Sequence, residues 1–251
     1  MSAEQQPPPL TEKEARDLLR TLAGVDVILV GGQAINVWAT RYLARAVELE
    51  SEGPFTSKDV DLWGDGRAVR ECARRLPQGQ PLFPDPDQHV PINSGIVRFV
   101  DAKGYRRELD VLEQLLGVDA KELKATCVEI GVEGQRFRIM HPVLCMEGRV
   151  ALVLRGRTDD HTLKQLRASV VCAREFLRET LDPARSRDVL DWNERIFEFA
   201  RRRDGRDLLR RYKVDVFKAV LLHERLPQEF LLRRYPQMQG KLKSLRLGLS
   251  R

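Results

Sequence analysis

Lys58-Asp59-Val60-Asp61-Leu62-Trp63 is the stretch on which the fold turns, read together with the diglycine Gly31-Gly32 that closes the apolar run Val27-Ile28-Leu29-Val30. In a strand, residues i and i+2 share a face, so Asp59 and Asp61 should project side by side while Val60 and Leu62 pack into a core. Two like charges held so close need a cation. A divalent ion such as Mg²⁺ prefers hard oxygen ligands, takes one or two carboxylates from a protein and leaves positions open for phosphate oxygens. The pattern therefore points to phosphate chemistry.

Working outward, residues 96–100 and 105–112 read as two strands joined by a polar turn containing Lys103-Gly104. In the second of them Leu109 and Val111 face one way, Glu108 and Asp110 the other. Asp110 is thus a third carboxylate candidate, with Glu108 on the same face as its alternative. Gly31-Gly32 reads as a tight strand-to-helix turn whose free N–H groups suit a phosphate. Neither Gly-x-Gly-x-x-Gly nor Gly-x-x-x-x-Gly-Lys surrounds it. A calcium-loop reading of Asp59-x-Asp61 fails because Trp63 and Arg70 occupy the fifth and twelfth positions.

The order of these parts, a diglycine after a strand, a helix, Asp-x-Asp on a strand and one Asp on a later strand, resembles the nucleotidyltransferase superfamily of DNA polymerase beta. Gly31-Gly32-Gln33-Ala34 followed by Ser57-Lys58-Asp59-Val60-Asp61-Leu62-Trp63 is most similar to its minimal bacterial members of the AbiEii/MNT type. The resemblance spans roughly residues 25–112. It implies a catalytic and metal-binding set of Asp59, Asp61 and Asp110, with Gly31, Gly32 and Lys58 on the nucleotide. It further implies Mg²⁺ (Mn²⁺ as the alternative ion), a nucleoside triphosphate as substrate, and transfer of a nucleoside monophosphate to a hydroxyl of RNA such as tRNA, of a protein or of a small molecule. A toxin controlled by an antitoxin protein would use the same fold. Many relatives carry Gly-Ser where this chain has Gly31-Gly32, so the backbone must serve in place of a hydroxyl. The stretch 41–55 exceeds what a compact member needs.

Length and composition set the frame. The chain has 251 residues, 42% of them hydrophobic, enough for one large domain or two modest ones. Residues 1–140 carry 18 Lys+Arg against 22 Asp+Glu, net −4, and residues 141–251 carry 25 against 15, net +10. An acidic front half suits a metal site and a basic back half a polyanion such as RNA. Within that back half Arg201-Arg202-Arg203 and Arg210-Arg211 are the candidate phosphate contacts, against the alternative of a solvated helix face. A non-catalytic RNA-binding module is the remaining reading. Four scattered cysteines without Cys-x-x-Cys, and no secretory leader, fit a reduced cytosol. Histidine spacing does not suit zinc. No apolar run reaches membrane-spanning length, so no membrane partner is expected.

The expected organisation is α/β (α+β), a nucleotidyltransferase-type mixed sheet with flanking helices followed by a helical C-terminal half. Residues 1–10 form a mobile lead-in, 11–140 the catalytic domain and 141–251 a basic helical domain. A capping box Thr11-x-x-Glu14 opens the first helix. Strands at 25–30 and around Asp59–Asp61, helices at 33–49 and 67–76, a proline-rich loop at 77–91 and a hairpin at 127–140 follow. Thereafter helices run over 142–155, from a Thr158 cap, from Asp182 to about 203 with a break at Asp204-Gly205, over 207–223 and over 228–235, ending in a short basic tail. Arg149 is expected on a solvated helix face, with a nucleotide contact as its alternative because relatives often place a lysine nearby, and Arg107, like Lys58, beside the acids or as a surface charge.

Overall fold

The computed structural model describes residues 7–56, 59–85, 93–132, 134–182 and 186–247. Lys58 lies outside the described residues, as do 183–185 at the expected start of a helix near Asp182. The chain divides into two compact units, Met1–Thr40 with Gly53–Gly148 and Arg41–Glu52 with Arg149–Arg251.

In the first unit, α1 (Glu12–Thr21) begins with the expected capping box: the Glu14 N–H donates to Thr11 Oγ1 and the Thr11 N–H donates to Glu14 Oε2 at 2.8 Å. β1 (Ile28–Val30) runs directly into α2 (Gly31–Tyr42), without a connecting loop. There follow β2 (Val60–Trp63), α3 (Gly66–Arg75), β3 (Gln80–Leu82), β4 (Asn93–Val100), β5 (Arg106–Leu112), α4 (Ala120–Thr126), β6 (Val128–Val132) and β7 (Gln135–Ile139). Among the described residues the strands make one seven-stranded sheet in the order β3-β4-β5-β2-β1-β7-β6. It is mixed: β2/β5 and β1/β7 are parallel and the other pairs antiparallel. Val60, Leu62, Leu109 and Val111 are buried in the core, as alternation requires. α3 packs Val69 and Cys72 inward, and Asp65 caps it by accepting from the Arg67 and Ala68 N–H groups.

The proline-rich loop contains a strand that the sequence concealed. β3 carries Pro81 opposite Val97, which a sheet tolerates because β3 is its edge and Pro need not donate outward. The helix expected over 33–49 ends at Tyr42, and Val47–Glu52 forms a 3₁₀ turn. Tertiary bonds override local propensity there. Tyr42 Oη donates to Glu179 at 2.8 Å, Glu48 receives Arg174 at 2.9 Å and Glu52 receives Arg167 at 2.8 Å, all within the second unit.

α5 (Pro142–Leu154) ends near Gly156 as expected and begins in the first unit. The second unit is helical: α6 (Asp160–Thr180), α7 (Ser186–Arg201), α8 (Arg203–Tyr212), a 3₁₀ turn Val216–Ala219, a π-helical turn Phe230–Arg234 and α9 (Tyr235–Leu247). Four expectations need correction. Asp159, not Thr158, caps α6, its Oδ1 accepting the Thr162 N–H at 2.9 Å. Gly205 lies inside α8 rather than breaking a helix, because a side chain there would meet Ala200 Cα at 2.7 Å and Phe199 O at 2.6 Å; it is a close-packing glycine. The helix expected over 207–223 stops at Tyr212, where Lys213 adopts a left-handed conformation. The short basic tail is the well-formed α9, in which Met238 and Leu242 are buried. Among the described residues no helix is long and apolar enough to cross a membrane.

Candidate active site

Everything at this site belongs to the first unit. β1 and β2 pair antiparallel with Val30 opposite Asp61, and β2 and β5 pair parallel with Asp61 opposite Asp110. Cross-strand partners in register share a face, so Asp61 and Asp110 stand beside each other. Asp59 precedes β2 by one residue, two before Asp61, in the same alternation. Burial follows: Asp61 and Asp110 are half-buried on one face while Leu62, Leu109 and Val111 are buried on the other.

Gly31 fixes the fourth side. Its φ of +65° is in the left-handed region, and a methyl on its Cα would lie 2.1 Å from Asp61 Oδ2. No side chain can occupy this position without displacing the carboxylate. The diglycine and the Asp-x-Asp strand, widely separated in the chain, therefore meet at one point. α2 begins at Gly31, so the first-turn N–H groups of Gly31, Gly32 and Gln33 have no partner inside the helix and carry the positive end of its dipole.

Negative charge is concentrated here. The carboxyl of Asp110 titrates above the usual carboxylate range, first because it is withdrawn from water and then because Asp59 and Glu108 repel its ionised form. Asn93 makes a long contact to it, Nδ2 to Oδ1 at 3.4 Å. Asn93 did not stand out in the sequence, and only its place at the start of β4 beside the end of β5 reveals it. Glu108 differs from Asp110: it is exposed and accepts from Arg98 Nε at 2.7 Å. Trp63, two residues past Asp61, donates Nε1–H to the Glu113 carbonyl, and the Lys124 ammonium lies 4.8 Å from its ring centroid. α4, which supplies Lys124, had no sequence expectation.

Arg107 is neither beside the acids nor on the surface. It is 3% exposed on the opposite face of β5, donating to Asp101 Oδ2 at 2.7 Å and to the Pro8 carbonyl at 2.7 Å. Strand parity accounts for this, since Arg107 alternates with Asp110's face. Arg149 is likewise buried and engaged with other groups instead of solvated.

The donor set of Asp59, Asp61 and Asp110 is all hard oxygen, which fits Mg²⁺ or Mn²⁺ better than zinc. Among the described residues no three His, Cys, Asp or Glu side chains are already gathered tightly enough to enclose a metal ion. The strand register brings two of the three side by side, and the repulsion felt by Asp110 is what a cation would relieve.

No family model matches the chain, and no curated protein matches it. Among solved structures, it is similar to an antigenic nucleotidyltransferase-like protein from Paracoccidioides brasiliensis, with 12% identity over 65% of this chain and 78% of that one and a TM-score of 0.40. It is also similar to JHP933 from Helicobacter pylori, with 17% identity over 95% of this chain and 91% of that one and a TM-score of 0.39. Both overlaps are shallow, and the site assignment rests on strand register and the Gly31–Asp61 approach alone.

Proposed function

We propose that the protein transfers a nucleoside monophosphate from a nucleoside triphosphate to a hydroxyl acceptor. One observation carries this: Asp61 is opposite Asp110 on the sheet and against the Cα of Gly31 at the head of α2, so paired carboxylates and a helix N-terminus whose free N–H groups suit phosphate share one location. Asp59, Asp61 and Asp110 would hold Mg²⁺ or Mn²⁺. When bound, such an ion neutralises the triphosphate and lowers the pKa of the acceptor hydroxyl.

The chain's own residues supply position and field. The first-turn N–H groups at Gly31 and Gly32 hold phosphate oxygens, and the absence of a side chain at Gly31 leaves room for the Asp61 carboxylate beside that turn. Asp110 faces the acceptor hydroxyl and takes its proton. The acceptor oxygen bonds the α-phosphorus as the bond to the leaving pyrophosphate breaks. The enzyme forms no covalent intermediate in this scheme.

The acceptor is proposed to be RNA, since residues 141–251 carry the excess of +10. A toxin held in check by an antitoxin would use the same acids on RNA or protein. The deciding experiment incubates the protein with each α-phosphate-labelled nucleoside triphosphate, Mg²⁺ and either total RNA or total protein. Label should enter RNA, and Asp59→Ala should abolish it. Label entering protein instead redirects the acceptor, and no metal-dependent labelling of any acceptor overturns the proposal.

A further inference from the structure

The helical unit contains a pocket of about 600 Å³, a size suited to a small-molecule ligand. One wall is a single face of α9, with Tyr235, Gln239, Lys243 and Arg246 at helical spacing. The other is the 3₁₀ turn bearing Phe217 and Lys218, and Arg174 of α6 completes the rim. The turn is held firmly: Asn193, fully buried on α7, donates to the Leu221 carbonyl at 3.0 Å and accepts the Leu221 N–H at 2.8 Å.

Charge in this pocket is lopsided. Four cations, Arg174, Lys218, Lys243 and Arg246, accompany one carboxylate, Asp215. Arg246 is taken up by Asp215 at 2.6 Å, and Arg174 by Glu48 and Glu175 at 2.9 and 3.0 Å. Among the described residues Lys218 and Lys243 have no ion-pair partner, so two lysines from separate elements line one concavity without a counter-charge of their own. The basic stretch expected to meet phosphate is different. Arg201 donates to Glu198 at 2.6 Å, and Arg203 and Arg210 lie 3.8 and 3.2 Å from Asp207.

The same pocket carries an aromatic surface. Phe217 and Tyr235 are half-buried and nearly parallel, with centroids 5.9 Å apart and planes 18° apart. Buried Phe197 and Phe230 back them at 6.3 and 6.2 Å. An inorganic anion or a carboxylate would use the lysines and leave the rings idle, and an apolar ligand would use the rings and leave the lysines idle. An unpaired base on a phosphate uses both, and Gln239 offers an amide to the base edge.

We propose that this pocket binds an unpaired nucleotide, its phosphate between Lys218 and Lys243 and its base against the Phe217–Tyr235 pair. The nucleotide is either free or one unit of single-stranded RNA. The proposal rests on the second unit alone and is independent of the acid site.

The test is fluorescence anisotropy of the full chain with a short labelled single-stranded RNA, repeated with the RNA annealed to its complement and with AMP as competitor. The single strand should bind, and the duplex about tenfold or more less tightly, because paired bases cannot stack on a side chain. K218Q/K243Q should weaken binding about tenfold and reduce the salt slope by roughly one. Tyr235→Ala should weaken it by about tenfold while Tyr235→Phe, which keeps the ring, should not. Strand binding should be the same in EDTA as in Mg²⁺, which separates this site from failure of the metal-dependent transfer reaction. Saturating AMP should displace the strand; an AMP affinity at or above the strand's identifies a free nucleotide as occupant, a lower one single-stranded RNA, and strand binding that saturating AMP leaves unchanged overturns the proposal. Parental affinity and salt slope in a K218Q/K243Q protein with normal thermal unfolding overturns the proposal, as does equal binding of duplex and single strand, or binding of neither strand nor AMP.

Discussion

On the sheet of the first unit, Asp61 and Asp110 face each other through a parallel strand register, whereas in the second unit Lys218 on a 3₁₀ turn and Lys243 on α9 line one pocket with no shared ladder between them. Strand geometry concentrates charge through short-range rules, i to i+2 along a strand and partner to partner across it. Helical packing concentrates it only after distant elements meet. The two regions also treat counter-charge differently. At the acids, withdrawal from water and then repulsion from Asp59 and Glu108 raise Asp110, while on the helices Arg201 and Arg210 each find a carboxylate within one turn, at Glu198 and Asp207. Crowded like charge on a rigid element marks a site better than abundance of charge does.

The largest effect that can break this comparison is at the acids. Asp59→Ala and Asp61→Ala should each reduce nucleotidyl transfer by on the order of a thousandfold or more, since metal ligands act as a unit. Circular dichroism should be unchanged. Transfer at the parental rate by either variant would show these carboxylates to be surface charges, and the contrast with the second unit would vanish.

Next in size is Gly31→Ala. The left-handed φ alone costs about 1–2 kcal/mol for a residue with a Cβ, and the methyl would press on Asp61 Oδ2 in addition. Thermal unfolding should occur at lower temperature and transfer should fall with it. Adding Asp61→Ala to Gly31→Ala should restore part of the lost stability, because the clash partner is gone. A double variant no more stable than Gly31→Ala alone would mean that the close approach carries no strain.

The shared face of Asp61 and Asp110 and the turn at Gly31 are legible because strand parity and left-handed turns leave local signatures, and the buried alternation of Leu109 and Val111 follows from the same parity. Arg107 was misjudged although parity places it opposite Asp110; its burial depends on Asp101 and on Pro8, far away in the chain. β3 was hidden by Pro81, whose acceptability depends on being at a sheet edge. α9 was read as a tail because Gly240 and its lysines and arginines obscure the Met238–Leu242 spacing, which acquires meaning only against its partners. The pocket was illegible for that reason.

A smaller effect, of opposite sign, is expected at Asp110. Its carboxyl titrates above the ordinary range, so the folded state disfavours the ionised form: its favourable contribution is complete in acid below the unfolded value and is lost as pH rises through the raised one. Without metal, Asp110→Asn should therefore match the parent in acid and be slightly more stable at neutral pH, by on the order of a degree or two in Tm, while losing transfer. Mg²⁺ should reverse the order by stabilising only the parent. An Asp110→Asn protein less stable than the parent at neutral pH without metal would show that the carboxylate is held by attraction rather than crowded by like charge.

The smallest effect sharpens the comparison from the basic side. Arg201, Arg202 and Arg203 hold the densest positive charge in the sequence, but Arg201 is engaged by Glu198 and Arg203 lies near Asp207, leaving Arg202 as the member of the run with no ion-pair partner among the described residues. A phosphate contact made by an arginine must first displace its carboxylate, so the net release of counterions is small. Replacing all three by Gln should lower single-stranded RNA affinity by less than about threefold and the salt slope by less than one. The two lysines of the pocket should do more with fewer substitutions. Measured side by side at several salt concentrations, a steeper loss from the arginine triple than from K218Q/K243Q would place RNA on the exposed face around α8, and mean that local charge density outweighs convergence in a concave pocket.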